Sequence, residues 1–179
     1  MNNYRYLAVD ESNHGQFPEI YVAAFSTNPE DVQIHKRLDL SKIRHKEEKI
    51  QNILITSNFK YIVIEKYYKR FFGICGTQII VLSEFFKAFQ RIDTIYLDGQ
   101  LTKGVASGVK QVLGRKKPNL LGIVKGDRKV QLINYADIIA YHIFQQYISE
   151  PNQLEEFKKK YSKNIVEPDL SKYEDIILP

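Results

Sequence analysis

The stretch Asn3–Gly15, NYRYLAVDESNHG, decides how the rest of the chain is read. Tyr6-Leu7-Ala8-Val9 is apolar enough for the middle of a sheet, and the run then closes on two adjacent carboxylates, Asp10 and Glu11. Acids at the end of a buried strand are costly unless they face water or share something positive. The first alternative is a strand that simply ends at the surface. The second requires more acids from elsewhere in the chain.

Four further runs have the same strand character: EIYVAAFST (Glu19–Thr27), KYIVIEK (Lys60–Lys66), DTIYLDG (Asp93–Gly99) and LLGIVKG (Leu120–Gly126). Each is short, rich in Ile, Val or Tyr, and bounded by turn formers or charge. Gly15 and Pro18 suit a turn that folds the first two into a hairpin. Helical patterns fill the gaps. A long polar stretch over Pro29–Leu54 reads as one or two helices, and Cys75–Gln90 carries Ile79, Leu82, Phe86 and Phe89 on one face. Val105, Val109 and Val112 mark a helix that stops at Gly114, and Val130–Ile148 is the last long one before Pro151. This order predicts an α/β fold, a five-stranded mixed sheet flanked by helices. Residues 1–150 read as one domain and 151–179 as a partly helical C-terminal extension, with a short helix over Gln153–Tyr161.

The chain has 179 residues, 44% hydrophobic and 26% charged, an ordinary globular balance that argues against disorder. No apolar run approaches the roughly 20 residues that cross a bilayer. Tyr4, Arg5 and Asp10 interrupt anything like a signal peptide. The single cysteine, Cys75, excludes an internal disulfide, fits a reducing compartment, and reads as a small buried apolar residue. The expectation is a cytoplasmic protein without membrane association, its oligomeric state open and a monomer sufficient.

A net charge of +5 and a pI near 9.1 favour polyanionic partners, nucleic acid first. Basic residues gather in His35–Lys49, Tyr67–Phe72, Gly114–Asn119 and Phe157–Lys163. In two of these, YYKRFF and FKKKYSK, cations alternate with aromatic rings. That composition suits a surface that follows phosphates and stacks on bases or sugars.

Two later strands also end in acid: Asp98 closes IYLD, and Asp127 follows IVKG. If neighbouring strand ends meet at one edge, these acids converge on Asp10 and Glu11 and repel unless divalent cations neutralise them. Oxygen-only donors suit Mg²⁺ or Mn²⁺ rather than zinc. Two such ions about 4 Å apart activate a water and stabilise the leaving oxygen of a phosphodiester. Asp137, in QLINYADIIAYHIF with Ile133, Ala136, Ala140 and Phe144 on its side, is a fifth candidate because an acid on an apolar helix face needs a partner.

Taken together, these residues resemble the ribonuclease H superfamily, and ribonuclease HII most. That family opens on a strand ending DEAGRG, where this chain has Asp10-Glu11-Ser12-Asn13-His14-Gly15. Its third acid lies in a VDG-type strand end, here Leu97-Asp98-Gly99. Its fourth lies in KGDxK before a long helix, here Lys125-Gly126-Asp127-Arg128-Lys129. The likeness runs from about Tyr4 to Tyr147. It implies that Asp10, Glu11, Asp98 and Asp127 are metal-binding catalytic acids of an endonuclease acting on RNA in RNA–DNA hybrids. The chain departs from the family where GRG reads the ribose 2′-OH, having Asn13-His14-Gly15, and where AASIxAK is replaced by Asn134–Tyr141. It also resembles a ribonuclease H-like group with DESG and QLADLIA motifs, in which Asp137 would join the site. The alternative is a nucleic-acid-binding protein of this fold that is non-catalytic or differently specific.

Around these acids, His14 suits a proton shuttle or a phosphate contact, since the ordinary pKa of an imidazole lies near neutrality. Lys125 and Lys129 flank Asp127 as point charges for phosphate oxygens. Tyr135 and Tyr141 are candidates for stacking on a base or sugar, with helix packing as the plainer role.

Overall fold

The computed structural model describes residues 5–12, 18–33, 38–39, 42, 44–89, 91–114 and 117–174. The expected five-stranded mixed sheet with flanking helices is present, in the order β3-β2-β1-β4-β5. β1 (Tyr6–Ser12) pairs antiparallel with β2 (Glu19–Ser26), which pairs antiparallel with β3 (Asn58–Ile64). On its other side β1 runs parallel to β4 (Thr94–Asp98), and β4 parallel to β5 (Asn119–Ile123). The carboxyl ends of β1, β3, β4 and β5 therefore emerge at one edge of the sheet, where β2 begins.

β1 runs to Ser12, two residues past Asp10, where the strand-like run Tyr4–Asp10 ends in the sequence. Asp10 and Glu11 are inside it, opposite Val22 and Tyr21 of β2, while pairing with β4 stops at Val9 and Leu97. The two acids are thus fixed by the ladder on one side and stand beside the end of β4 on the other.

Leu7, Ala8 and Val9 are all fully buried, as are Ile20, Val22 and Ala23, because helices cover both faces of these strands. Successive side chains point to opposite faces. Ala8, Val22 and Tyr61 meet α4 (Gln131–Tyr147), α1 (Lys46–Thr56) and α5 (Pro151–Lys160) through residues such as Ile133, Ile50 and Phe157. Leu7, Val9 and Ile62 meet α2 (Lys66–Ala88) and α3 (Lys103–Leu113) through Ile79, Leu82 and Val105. The Thr102 hydroxyl caps α3 by accepting the Val105 amide at 3.2 Å.

Two sequence expectations need correction. The helix expected from Cys75 begins at Lys66, so YYKRFF is helical, and a break at Gly73 (φ 66°, ψ −177°) separates its first turns from the rest. Cys75 is exposed rather than buried, because the inward positions here are Phe72, Gly76, Thr77, Ile79 and Ile80. With the early start, α2 has the length and mean hydropathy of a membrane span, yet its Ile79, Val81, Leu82 and Phe85 pack on the sheet.

After α5 the chain returns to the edge strand. The Tyr61 amide donates to the Asn164 carbonyl and the Val166 amide to the Tyr61 carbonyl, both at 2.8 Å, covering part of the free edge of β3. Phe157, Tyr161 and Tyr173 are buried, which fastens this segment to residues on both sides of the sheet.

Candidate functional site

Period-two alternation sorts the acids. Asp10 follows Ala8 and Asp98 follows Tyr96, both on the face that α4 covers. Asp137 is half-buried on α4, one turn after the buried Ile133. Asp10 is only 6% exposed, and its carboxyl is held well above the ordinary aspartate range. Burial is the main cause, followed by the charges of Asp137 and Asp98, then Glu11; the Glu11 amide, donating to Asp10 Oδ1 at 2.7 Å, opposes them.

Asp98 is fixed differently. Its Oδ1 accepts the Gly99 amide at 2.9 Å and the Gly126 amide at 2.6 Å. The second bond brings the turn after β5 onto the end of β4. It forces a close approach: a Cβ at Gly126 would meet Ile133 Cδ1 at 2.6 Å and Asp98 Oδ1 at 2.9 Å. Gly126→Ala is therefore expected to push the Asp98 carboxylate aside and lower stability by about 1–3 kcal/mol, an overpacking cost. Thermal melting together with a crystal structure of the variant checks it, and an unmoved Asp98 would refute it.

Glu11 points to the opposite face, on the side of Leu7 and Val9. There the Tyr21 hydroxyl lies between two carboxylates that share its one proton, Glu11 and Glu19, the latter with Oε2 at 3.3 Å. Burial and these two carboxylates push the Tyr21 phenol upward, so it remains a donor. Glu19, fully buried at the start of β2, is paired with Lys69 of α2. A hydrogen-bonded chain, Glu11–Tyr21–Glu19–Lys69, thus ties an acid of the strand edge to the first turns of α2. Sequence reading missed this chain. Its one visible signal is an acid opening an otherwise apolar strand.

The other candidates divide as follows. Asp127 is half-buried in the 3-10 turn Gly126–Arg128 that follows β5. Lys125 and Lys129 are exposed on either side of that turn, Lys125 with a left-handed backbone (φ 58°). Asn13, His14 and Gly15 lie outside the described residues. Tyr135 is half-buried and bonded to Gln131, whereas Tyr141 is exposed with the Lys46 ammonium 5.9 Å from its ring. Asn134, one turn before Asp137 and 2% exposed, uses its Oδ1 to accept the Leu38 amide at 3.0 Å.

Among the described residues no three Asp, Glu, His or Cys side chains converge closely enough to hold a metal ion. The donor chemistry nevertheless fits Mg²⁺ or Mn²⁺, because all the groups around Asp10 are carboxylates.

No protein-family model matches the sequence, and no curated protein matches it. Several solved structures are similar in shape, two ribonucleases among them. One is ribonuclease HII from Archaeoglobus fulgidus, in its complex with PCNA: TM-score 0.57, 15% identity, 87% of this chain and 76% of that one covered. The other is Bst-RNase HIII in complex with Mn²⁺: TM-score 0.54, 15% identity, 89% of this chain covered but 56% of that one, little more than half its length. At this identity the likeness concerns architecture, and with the sheet order it shows that the chain has a ribonuclease H-like fold.

Proposed function

We propose that the protein is a divalent-metal-dependent nuclease that hydrolyses phosphodiester bonds, with RNA in RNA–DNA hybrids as the leading substrate. The observation that carries this reading is Asp10. It is a nearly inaccessible carboxylate in the central strand, with Asp98 and Asp137 raising its pKa from the same face. Among the described residues no cation's charge acts on it, whereas a purely structural acid in that position would be expected to have one beside it. The basic chain and the shared fold of a Mn²⁺-bound ribonuclease HIII lend further support.

Asp10, Asp98 and Asp137 would hold the ions from one face, with Asp127 on the adjoining turn and Glu11, turned to Tyr21, contributing from the other side of β1. Bound Mg²⁺ or Mn²⁺ supplies charge stabilisation at the phosphoryl oxygens and a water of lowered pKa. The chain's own groups prepare the rest. The Gly99 and Gly126 amides fix one oxygen of Asp98, which would leave its other oxygen to face an ion. An ion bound there would favour the charged form of Asp10, opposing the burial and the neighbouring carboxylates that raise its pKa. Lys125 and Lys129 offer exposed ammonium groups to neighbouring phosphates.

The test combines Mn²⁺ binding, read by electron paramagnetic resonance, with cleavage of a labelled RNA–DNA hybrid. Asp137→Asn is expected to weaken Mn²⁺ binding at least about tenfold, and Asp127→Asn less than about threefold. Failure of the wild type to cleave hybrid, RNA or DNA with either metal would end the nuclease reading. The second reading, binding without cleavage, draws on the lack of a preformed ligand cluster among the described residues. It predicts nucleic-acid binding that neither chelator nor Asp10→Asn alters.

A further inference from the structure

The two clusters in which cations alternate with aromatics fare differently in the fold. In FKKKYSK the rings of Phe157 and Tyr161 are buried against Phe59 and Tyr61, so none is left to stack on a ligand. In KYYKRFF, at the start of α2, only Phe72 is buried: Tyr67 is 70% exposed, Phe71 43%, and Ile74, past the Gly73 break, 65%. Tyr67 and Phe71, one turn apart, hold their rings nearly parallel (15°), and Phe71 is braced edge-on by Phe72 at 4.9 Å. Lys66 and Arg70 are exposed beside them.

Topology decides where this surface lies. β3 runs parallel to β1, so α2, which follows it after Glu65, starts at the same sheet edge as Asp10, Glu11 and Asp98. Two strand spacings, about 10 Å, separate β3 from β1 across the sheet. The Lys69–Glu19 ion pair anchors these first turns to β2.

We propose that Tyr67, Phe71, Lys66 and Arg70 form a docking ledge for a nucleic-acid strand leaving the carboxylate edge, the rings stacking on unpaired bases and the cations meeting phosphates. The proposal rests on the nuclease reading for the identity of its ligand and names where that ligand is held. Charge selects the occupant. A large exposed aromatic surface would also suit a protein partner, but on a chain of net charge +5, with cations interleaved and no acid in the first turn of α2, a polyanion with flat apolar faces is the complement.

Fluorescence anisotropy in chelator, where nothing is cut, tests it with two probes: a labelled RNA–DNA hybrid with a single-stranded tail, and the same hybrid blunt-ended. Tyr67→Ala/Phe71→Ala is expected to bind the tailed hybrid at least about fivefold more weakly, with a smaller change on the blunt one and an unchanged dependence on salt. Lys66→Ala/Arg70→Ala is expected to flatten the salt slope by roughly 1.4, two single-strand phosphate contacts. Both pairs are exposed, and unaltered melting curves confirm that each variant folds. An aromatic variant within twofold of wild type on the tailed hybrid overturns the ledge. So does sedimentation showing a wild-type dimer that the aromatic variant breaks, because the surface would then be a self-interface. Binding without cleavage removes the nuclease reading and leaves the ledge standing; no binding to either probe removes both.

Discussion

Asp10→Asn is expected to make the metal-free protein more stable near neutral pH and, at the same time, to abolish its response to metal. The folded state holds the Asp10 proton more tightly than the unfolded chain does, since burial, Asp137 and Asp98 all raise its pKa from the ordinary 3.8. Below that ordinary value the carboxyl is protonated in both states and imposes no penalty. As pH rises through the window between 3.8 and the higher folded value, the unfolded chain loses its proton first, and wild-type stability falls. Asparagine keeps the shape and removes the charge, so this slope disappears. Each kcal/mol of relieved repulsion lifts the melting temperature of a chain this size by roughly 2–4 °C. Mn²⁺ at about 100 times its Kd should then stabilise wild type by about 2.7 kcal/mol and leave the variant where it was. Cleavage should drop on the order of 10³-fold, the loss of several kcal/mol of transition-state stabilisation. Melting curves against pH, with chelator and with Mn²⁺, check the first part. A wild type indifferent to Mn²⁺, or a variant that melts lower than wild type in chelator at pH 7, would contradict it.

The same residue shows how far sequence alone reaches. Five apolar runs with turn formers between them led to the sheet, because a strand buried on both faces must be apolar at nearly every position, and such runs are conspicuous. The convergence of Asp10 with Asp98 was legible for a related reason, since parallel neighbours deliver their carboxyl ends to one edge. What the reading passed over was the strict alternation within β1. Adjacent strand residues face opposite ways, so Asp10 meets α4 while Glu11 meets Tyr21. The early start of α2 was hidden because Lys66, Lys69 and Arg70 interrupt the apolar period there; the packing of Phe72 on Ile80 and Tyr173, with the Lys69–Glu19 pair, gives those turns their inward side. Asp137 gained weight only once α4 was seated on β1 and β2. A helix-face acid has no assignable partner until the opposing strands are in place.

Lys69→Met is the substitution for which the largest loss of stability is expected. Glu19 is fully buried, Lys69 is mostly so, and the pair joins β2 to α2 where both meet the carboxylate edge. Methionine keeps the aliphatic stem and deletes the ammonium, which strands a carboxylate with little beyond the weak 3.3 Å Tyr21 hydroxyl to compensate it. Breaking a buried pair from one side costs about 3–5 kcal/mol, most of it the penalty of the anion left behind. In a chain of this size that lowers the melting temperature by roughly 6–20 °C. Glu19→Gln/Lys69→Met removes both charges and should regain most of the loss, since the pair's net worth is small beside the penalty of leaving either half unpaired. A second readout separates anchoring from stability. With Lys69 gone, Glu19 competes fully with Glu11 for the Tyr21 hydroxyl, and the first turns of α2 lose their tether to β2. The single variant should therefore bind Mn²⁺ and tailed hybrid more weakly even well below its melting temperature, and the double variant should recover metal binding while its helix start stays loose. Equal melting temperatures for wild type and Lys69→Met would mean that Glu19 finds another cation, and the chain from Glu11 to α2 would lose its physical basis.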